Sequence, residues 1–222
     1  MRFSLLLLLL PIYLFAVSMP EKALYLEGKS DSGMILAHGK GMDPNFKVVK
    51  PLRLALNQDM GFHTLSLQMP NQYEAYEDYE KEQPKVDAMI DQAISFLHSK
   101  GVKKIYLMGH SLGAGMTSSY LVSHPNAPIA GYIAVGCRGN KSKLISCADN
   151  MTKIKIKTFD IWGKSNSEDE SFAAIRAPLV SENYRQYGID GAGHALDGSI
   201  DFFIEEVEGW LEKYNEPFFQ DQ

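Results

Sequence analysis

The sequence predicts an α/β fold, with a mostly parallel central sheet and helices on both faces. Three observations predict it. Short apolar runs alternate with helical segments along most of the chain. Within 105–116, an apolar run passes through Gly-x-Ser-x-Gly into a small-residue helical stretch, the pattern of a sharp strand-to-helix turn. Finally, the 222 residues leave roughly 200 after an N-terminal apolar leader, enough for one domain with a full core. The expected organisation is a signal peptide over 1–18 and a single domain over 19–222.

The leader comes first. Arg2 supplies a positive start, and the run from Leu5 to Val17 is too short to cross a bilayer comfortably. Ala16-Val17-Ser18 offers small residues for cleavage after Ser18. The mature chain is therefore expected to be exported, periplasmic or secreted, with no stable membrane insertion.

The elements follow in order. Residues 23–26 form a short strand, and Ser30-Asp31-Ser32 a turn. Residues 33–37 read as a buried strand ending at His38-Gly39-Lys40-Gly41. Phe46, Val49, Leu52, Leu56 and Met60 recur at helical spacing, which predicts a helix over 46–59. A strand over 63–69 is broken by Pro70, and an acidic, tyrosine-rich loop follows from Tyr73 to Glu80. In 83–99, Val86, Met89, Ile90, Ala93, Ile94 and Leu97 share one helical face, and Gly101 caps it. After the serine turn come strands over 129–135 and 155–162, a helix over 168–177, and a last strand over 183–189. The final helix carries Ile200, Phe203, Ile204, Val207, Trp210, Leu211 and Tyr214 at i, i+3, i+4, i+7 spacing. Only about twenty residues separate Val135 from the next strand, too few for a sizeable lid.

Composition narrows the function classes. A net charge of -5 with no basic run argues against a nucleic-acid partner. Cys137 and Cys147 fit an oxidising compartment and could close a short loop, but spacing alone leaves their pairing open. His38 and His110 lack a spaced partner for a metal, so neither metal nor cofactor is expected.

In open parallel sheets, reactive groups gather at the carboxyl ends of strands. The turns at 38–41, 70–82, 109–113 and 190–194 should therefore converge. Ser111 stands at the apex of its turn, where Gly109 and Gly113 supply the lack of bulk that a tight turn needs. Its hydroxyl needs a base, and His194 is the candidate because it follows the last strand in a glycine-rich turn.

The segments His38-Gly39-Lys40-Gly41, Leu65 to Pro70, Gly109-His110-Ser111-Leu112-Gly113, Asp160-Ile161-Trp162-Gly163, and Tyr184-Arg185-Gln186 with Gly191-Ala192-Gly193-His194 together resemble those of an α/β-hydrolase. Specifically, the chain is similar to a small, lidless family of exported bacterial hydrolase-like proteins of uncharacterised function. That resemblance implies a nucleophile at Ser111, a base at His194, and oxyanion donors at the backbone N–H groups of Lys40 and Leu112. It also places the acid three residues after Gly163, where this chain has Asn166. An asparagine can orient a histidine ring but cannot stabilise the imidazolium by charge. Glu168, Asp169 and Asp160 are the substitutes, with the first two preferred over the strand-centre Asp160. His38, Gly39, His110, Tyr73 and Tyr76 are assigned to substrate binding, the rings of His38 and His110 also reading as braces.

Two functions follow as expectations. The first is a serine hydrolase acting on a carboxylic ester or thioester, its substrate a small acyl ester or an envelope-derived molecule. The alternative, motivated by Asn166, is a catalytically impaired binding protein of the cell envelope with the same fold.

Overall fold

The computed structural model describes residues 17–139 and 142–215. All but the last two residues of the expected leader fall outside that range. Thirteen elements alternate along the chain: β1 (Leu24–Leu26), β2 (Ser32–Ala37), α1 (Val49–Asp59), β3 (His63–Leu67), α2 (Gln83–Ser99), β4 (Lys104–His110), α3 (Leu112–Ser123), β5 (Gly131–Val135), α4 (Cys147–Met151), β6 (Lys157–Gly163), α5 (Ser167–Arg176), β7 (Tyr184–Ile189) and α6 (Ile200–Asn215). The sheet has seven strands in the order β1-β3-β2-β4-β5-β6-β7. Every pairing from β3 to β7 is parallel. Only β1, at the edge, runs antiparallel, against β3.

The period-2 alternation of the strands divides the core into two layers. Ile35, Ala37, Leu65, Leu67, Ile105, Leu107, Tyr132 and Ala134 point to one face and pack under residues of α2, α3 and α4. Met34, Leu36, Tyr106, Met108, Ile133, Val135, Phe159 and Ile161 point to the other, where α1 and α6 cover them. Trp210 of α6 anchors this second layer, stacked 5.8 Å from Phe159 and edge-on to Tyr106 at 6.3 Å. A parallel sheet buried on both faces explains why its strands read as near-continuous apolar runs.

Three local features differ from expectation. The helix read over 46–59 begins at Val49, and the carbonyl of Phe46 instead accepts from the N–H groups of Val49 and Lys50 in a preceding turn. Pro51 is tolerated because it lies in the first helical turn, where its missing N–H has no intrahelical acceptor. Tyr76–Glu82 is a 3-10 helix that runs directly into α2, where the sequence suggests a loop. Tyr76 and Tyr79 are three apart within it, the eclipsed spacing of a 3-10 turn, and Tyr73, just before it, also packs on the fully buried Tyr79. Lastly, the 136–156 connection holds the short helix α4, tied back by a Cys137–Cys147 disulfide with Cα atoms 5.4 Å apart. It carries no large lid.

Candidate active site

The site is built at the C-terminal edge of the sheet, beginning with the turn between β4 and α3. Ser111 sits there at φ 54° and ψ -117°, a sparsely populated region for a residue with a side chain. Holding it costs on the order of 1–3 kcal/mol, which the surrounding packing must impose. The flanking glycines show how. A Cβ on Gly109 would lie 2.4 Å from Thr117 Oγ1, and one on Gly113 would lie 2.4 Å from the Ala37 carbonyl oxygen. Only glycines let α3 close down on β4 and β2. The Ser111 N–H donates to the Val135 carbonyl at 2.9 Å, pinning the turn to β5. Leu112 opens α3, so its N–H has no acceptor within the helix.

The loop after β7 brings in His194. Its imidazole Nε2 lies 2.9 Å from Ser111 Oγ, while Nδ1 lies 2.7 and 3.0 Å from the two carboxylate oxygens of Asp169. A carboxylate can only accept, so the proton belongs on Nδ1 and Nε2 is free to accept from the serine hydroxyl. The end of β5 makes room for this ring: Gly136 has φ +58°, and a Cβ there would lie 2.7 Å from His194 Cε1. Asp169 is almost fully buried in the first turn of α5. Burial alone would push its carboxyl upward. Hydrogen bonds from His194 and Arg138 outweigh that and hold it below the usual carboxylate range.

Of the four candidates for the acid, the structure sets only Asp169 against the histidine. Asn166 is the N-cap of α5, its side-chain oxygen accepting from the Asp169 N–H at 3.0 Å. Capping therefore occupies the position where the resemblance expects an acid, and the carboxylate enters one helical turn later. Glu168 is half exposed and pairs with Arg138. Asp160 points away from the site into a buried cluster, taking two hydrogen bonds from Arg176 at 2.8 and 2.9 Å and one from Tyr184 at 2.7 Å. Neither Arg138 nor Arg176 stands out in the sequence, because a lone arginine after a strand or inside a helix carries no motif.

The assigned binding residues divide. Tyr76 stands at the site, its hydroxyl 3.4 Å from Ser111 Oγ. Gly39 passes against the turn, a Cβ there lying 3.1 Å from Ser111 Cβ. His38 is fully buried instead of facing substrate: its Nδ1 donates to the Gly39 carbonyl and its Nε2 accepts from the Met69 N–H at 3.0 Å. It braces the β2 turn. His110 is likewise fully buried, beneath His194. Tyr73 turns aside, its hydroxyl donating to Glu82 at 2.6 Å and its ring packed on Tyr79. The Lys40 ammonium donates to the Glu74 carbonyl and sits 5.9 Å from the Tyr76 ring centroid, joining the β2 turn to the tyrosine-rich segment.

These groups open onto a cleft of about 430 Å³, walled by Tyr76, Leu112, Ile145, Arg138 and Glu168 around Ser111. A hydroxyl beside an imidazole acceptor, itself oriented by a buried carboxylate, meets the geometric requirement for an activated nucleophile. Among the described residues, no group of three or more His, Cys, Asp or Glu side chains is arranged to hold a metal ion.

Fold and connectivity together define the α/β-hydrolase fold. Solved structures of that class superpose over most of the chain. A dienelactone hydrolase from Anabaena variabilis is 17% identical, with a TM-score of 0.69 over 90% of this chain and 96% of its own. Est1E from Butyrivibrio proteoclasticus is 15% identical, with a TM-score of 0.68 over 86% of this chain and 93% of its own. XC6422 from Xanthomonas campestris, described as an α/β serine hydrolase without a lid, is 12% identical, with a TM-score of 0.66 over 88% and 96%. At such identities the likeness concerns the fold. No curated protein sequence matches the chain. Residues 73–213 match the family described as "Protein of unknown function (DUF3530)", and the chain belongs to that family.

Proposed function

We propose that the protein is a serine hydrolase acting on carboxylic esters or thioesters. The observation that carries this reading is the contact of His194 Nε2 with Ser111 Oγ at 2.9 Å, together with Asp169 on the opposite ring nitrogen at 2.7 Å. Ser111 Oγ attacks the acyl carbon as His194 takes its proton. The backbone N–H groups of Leu112 and Lys40 receive the developing oxyanion. Collapse breaks the bond to the leaving alcohol or thiol, which takes the proton from His194. Water then attacks the acyl-serine with His194 again as base, releasing the acid and restoring the hydroxyl. Tyr76 borders the acyl group, and a cleft of about 430 Å³ suits a small substrate.

The same reading puts the protein outside the cytoplasm. An exported chain accounts for the apolar leader and for a disulfide that an oxidising compartment preserves. No helix among the described residues is long and apolar enough to cross a membrane.

The impaired-binder alternative rests on Asn166, and it loses that motive because Asp169 takes the place beside His194. Fluorophosphonate labelling of the purified protein tests the nucleophile. Wild type labels and Ser111→Ala does not; equal labelling of the two removes Ser111 from the mechanism. A panel of aryl esters of graded acyl length, with Ser111→Ala as control, then reads the substrate class.

A further inference from the structure

The guanidinium of Arg138 divides itself among three acceptors, all at the start of α5. Nε donates to Asp169 Oδ1 at 2.5 Å, Nη1 to Glu168 Oε2 at 2.5 Å, and Nη2 to Asn166 Oδ1 at 3.0 Å. It therefore cross-links the end of β5 to the helix that carries the carboxylate facing His194. Asp169 serves two donors at once, Arg138 on Oδ1 and His194 closest on Oδ2. The backbone around Arg138 is itself fixed. The Cys137 carbonyl accepts from Arg176 Nη1 at 2.7 Å, the Arg138 carbonyl accepts from the Ala148 N–H at 3.2 Å, and the Cys137–Cys147 bond closes the segment between them.

We propose that Arg138, held by the Cys137–Cys147 disulfide, is a positioning residue that aims the Asp169 carboxylate at His194 and shares that carboxylate's charge with the ring. A rigid planar fork fixes a carboxylate in a way that a flexible ammonium does not. Its positive charge also shares that carboxylate with any imidazolium formed at His194, so removing the charge favours the protonated ring. Besides Asp169, the groups against His194 are His110 from β4, tilted beneath it with centroids 5.1 Å apart, and Ser111; close by, Glu168 from α5 pairs with Arg138, and the Tyr76 hydroxyl lies against Ser111. Asp190, on the histidine's own loop, is paired with Lys164 at 2.6 Å. The catalytic consequence rests on the hydrolase reading; the effect on His194 protonation does not.

The test is the titration of His194 by NMR of the imidazole-labelled purified protein, with His194→Gln supplying the assignment. Arg138→Gln moves the midpoint to higher pH by about half a unit to one unit. The acid limb of kcat/KM moves the same way, with KM changed less than about twofold for a residue acting through another. Superimposable His194 titrations in wild type and Arg138→Gln overturn the proposal. Arg138→Lys provides a second reading should the glutamine variant not fold. It keeps the charge and the midpoint but lowers kcat several-fold; kcat and an Nδ1–H resonance equal to wild type overturn the positioning role. A Cys137→Ala, Cys147→Ala double variant shifts His194 in the direction of Arg138→Gln, and an unchanged midpoint removes the disulfide from the scheme. If no variant hydrolyses esters yet the titration moves, the hydrolase reading fails and the electrostatic coupling stands. If esters are hydrolysed and the titration does not move, the hydrolase reading stands and the coupling fails.

Discussion

His110 lies beneath His194, with ring centroids 5.1 Å apart and its Nε2 donating to the His194 carbonyl at 3.0 Å. The lower histidine thus holds the backbone of the upper one, from the residue directly before Ser111. That arrangement has a thermodynamic signature. Full burial, reinforced by the neighbouring His194, pushes His110 down to about 4 from 6.5. Unfolding releases it to titrate normally, so the unfolded state binds the extra proton. Its contribution is fully present above about pH 6.5 and is lost progressively as pH falls toward 4. By pH 4 the loss is about 3 kcal/mol. Denaturant unfolding at stepped pH should show it, and His110→Gln, which keeps a donor but cannot titrate, should flatten the curve in that window. Asp169 loses its contribution at lower pH, through its depressed value, so the two windows are distinguishable.

Asp169→Asn should separate geometry from charge. The amide can still contact His194 but presents a donor to Nδ1, favouring the tautomer whose Nε2 carries the proton and cannot accept from Ser111. Esterase kcat should fall by about 10³–10⁴, with the thermal midpoint changed far less. Asn166→Ala should do the opposite. It removes the N-cap of α5 at a cost of about 1 kcal/mol and lowers kcat only modestly. If Asn166→Ala were the more damaging of the two in kcat, the acid would be misassigned. Paired chemical melts and steady-state rates on the two variants decide it.

The uneven legibility of the site has physical causes. Ser111 is readable because its turn is a steric problem with few solutions, and the glycines that solve it are local in sequence. His194 is readable as the histidine of the last strand's exit turn. The two-layer core follows from alternation in the strands and from the apolar stripes of α2 and α6. The acid is ambiguous because a position counted from Gly163 ignores where the next helix starts. Read as an N-cap, Asn166 places Asp169 three residues on, the position that faces back toward the cap. The tyrosine segment reads as a loop because its charges draw the eye, while the three-residue spacing of Tyr76 and Tyr79 belongs to a 3-10 turn. Arg138 reaches a carboxylate 31 residues away, and Arg176 one 16 residues away, and no local pattern marks such links.

The disulfide should matter more to the cleft wall than to the sheet. Cys137 and Cys147 are ten residues apart, and a loop of that size stabilises by about 2–3 kcal/mol when closed. Both sulfurs belong to residues almost fully buried, so reductant should act slowly on the folded protein. The Cys137→Ala, Cys147→Ala variant should fold and lose about that amount in urea titrations. Hydrogen exchange should quicken at residues 142–151, in and beside α4, and stay unchanged in β4 and β5. Uniform loosening across the sheet would show that the bond supports the whole core.

The buried Asp160–Arg176 pair should be the most fragile polar feature of the fold. The arginine is 1% exposed and gives Asp160 two hydrogen bonds, at 2.8 and 2.9 Å, and the Cys137 carbonyl a third at 2.7 Å. Burial alone would make its charge harder to keep, but the facing carboxylate outweighs this and raises its affinity for the proton. Tyr184 and Gln186 complete the ring of donors around Asp160 Oδ2, at 2.7 and 2.9 Å. Asp160→Asn keeps the shape but leaves a guanidinium buried without its counter-charge, so it should destabilise by about 3–5 kcal/mol. Arg176→Met, Asp160→Leu removes both charges together and should recover part of that loss, because the desolvation cost goes with them. The pair therefore makes a double-mutant cycle in urea with a large favourable coupling. A single Asp160→Asn change costing under about 1 kcal/mol would mean that water reaches the cluster and screens it.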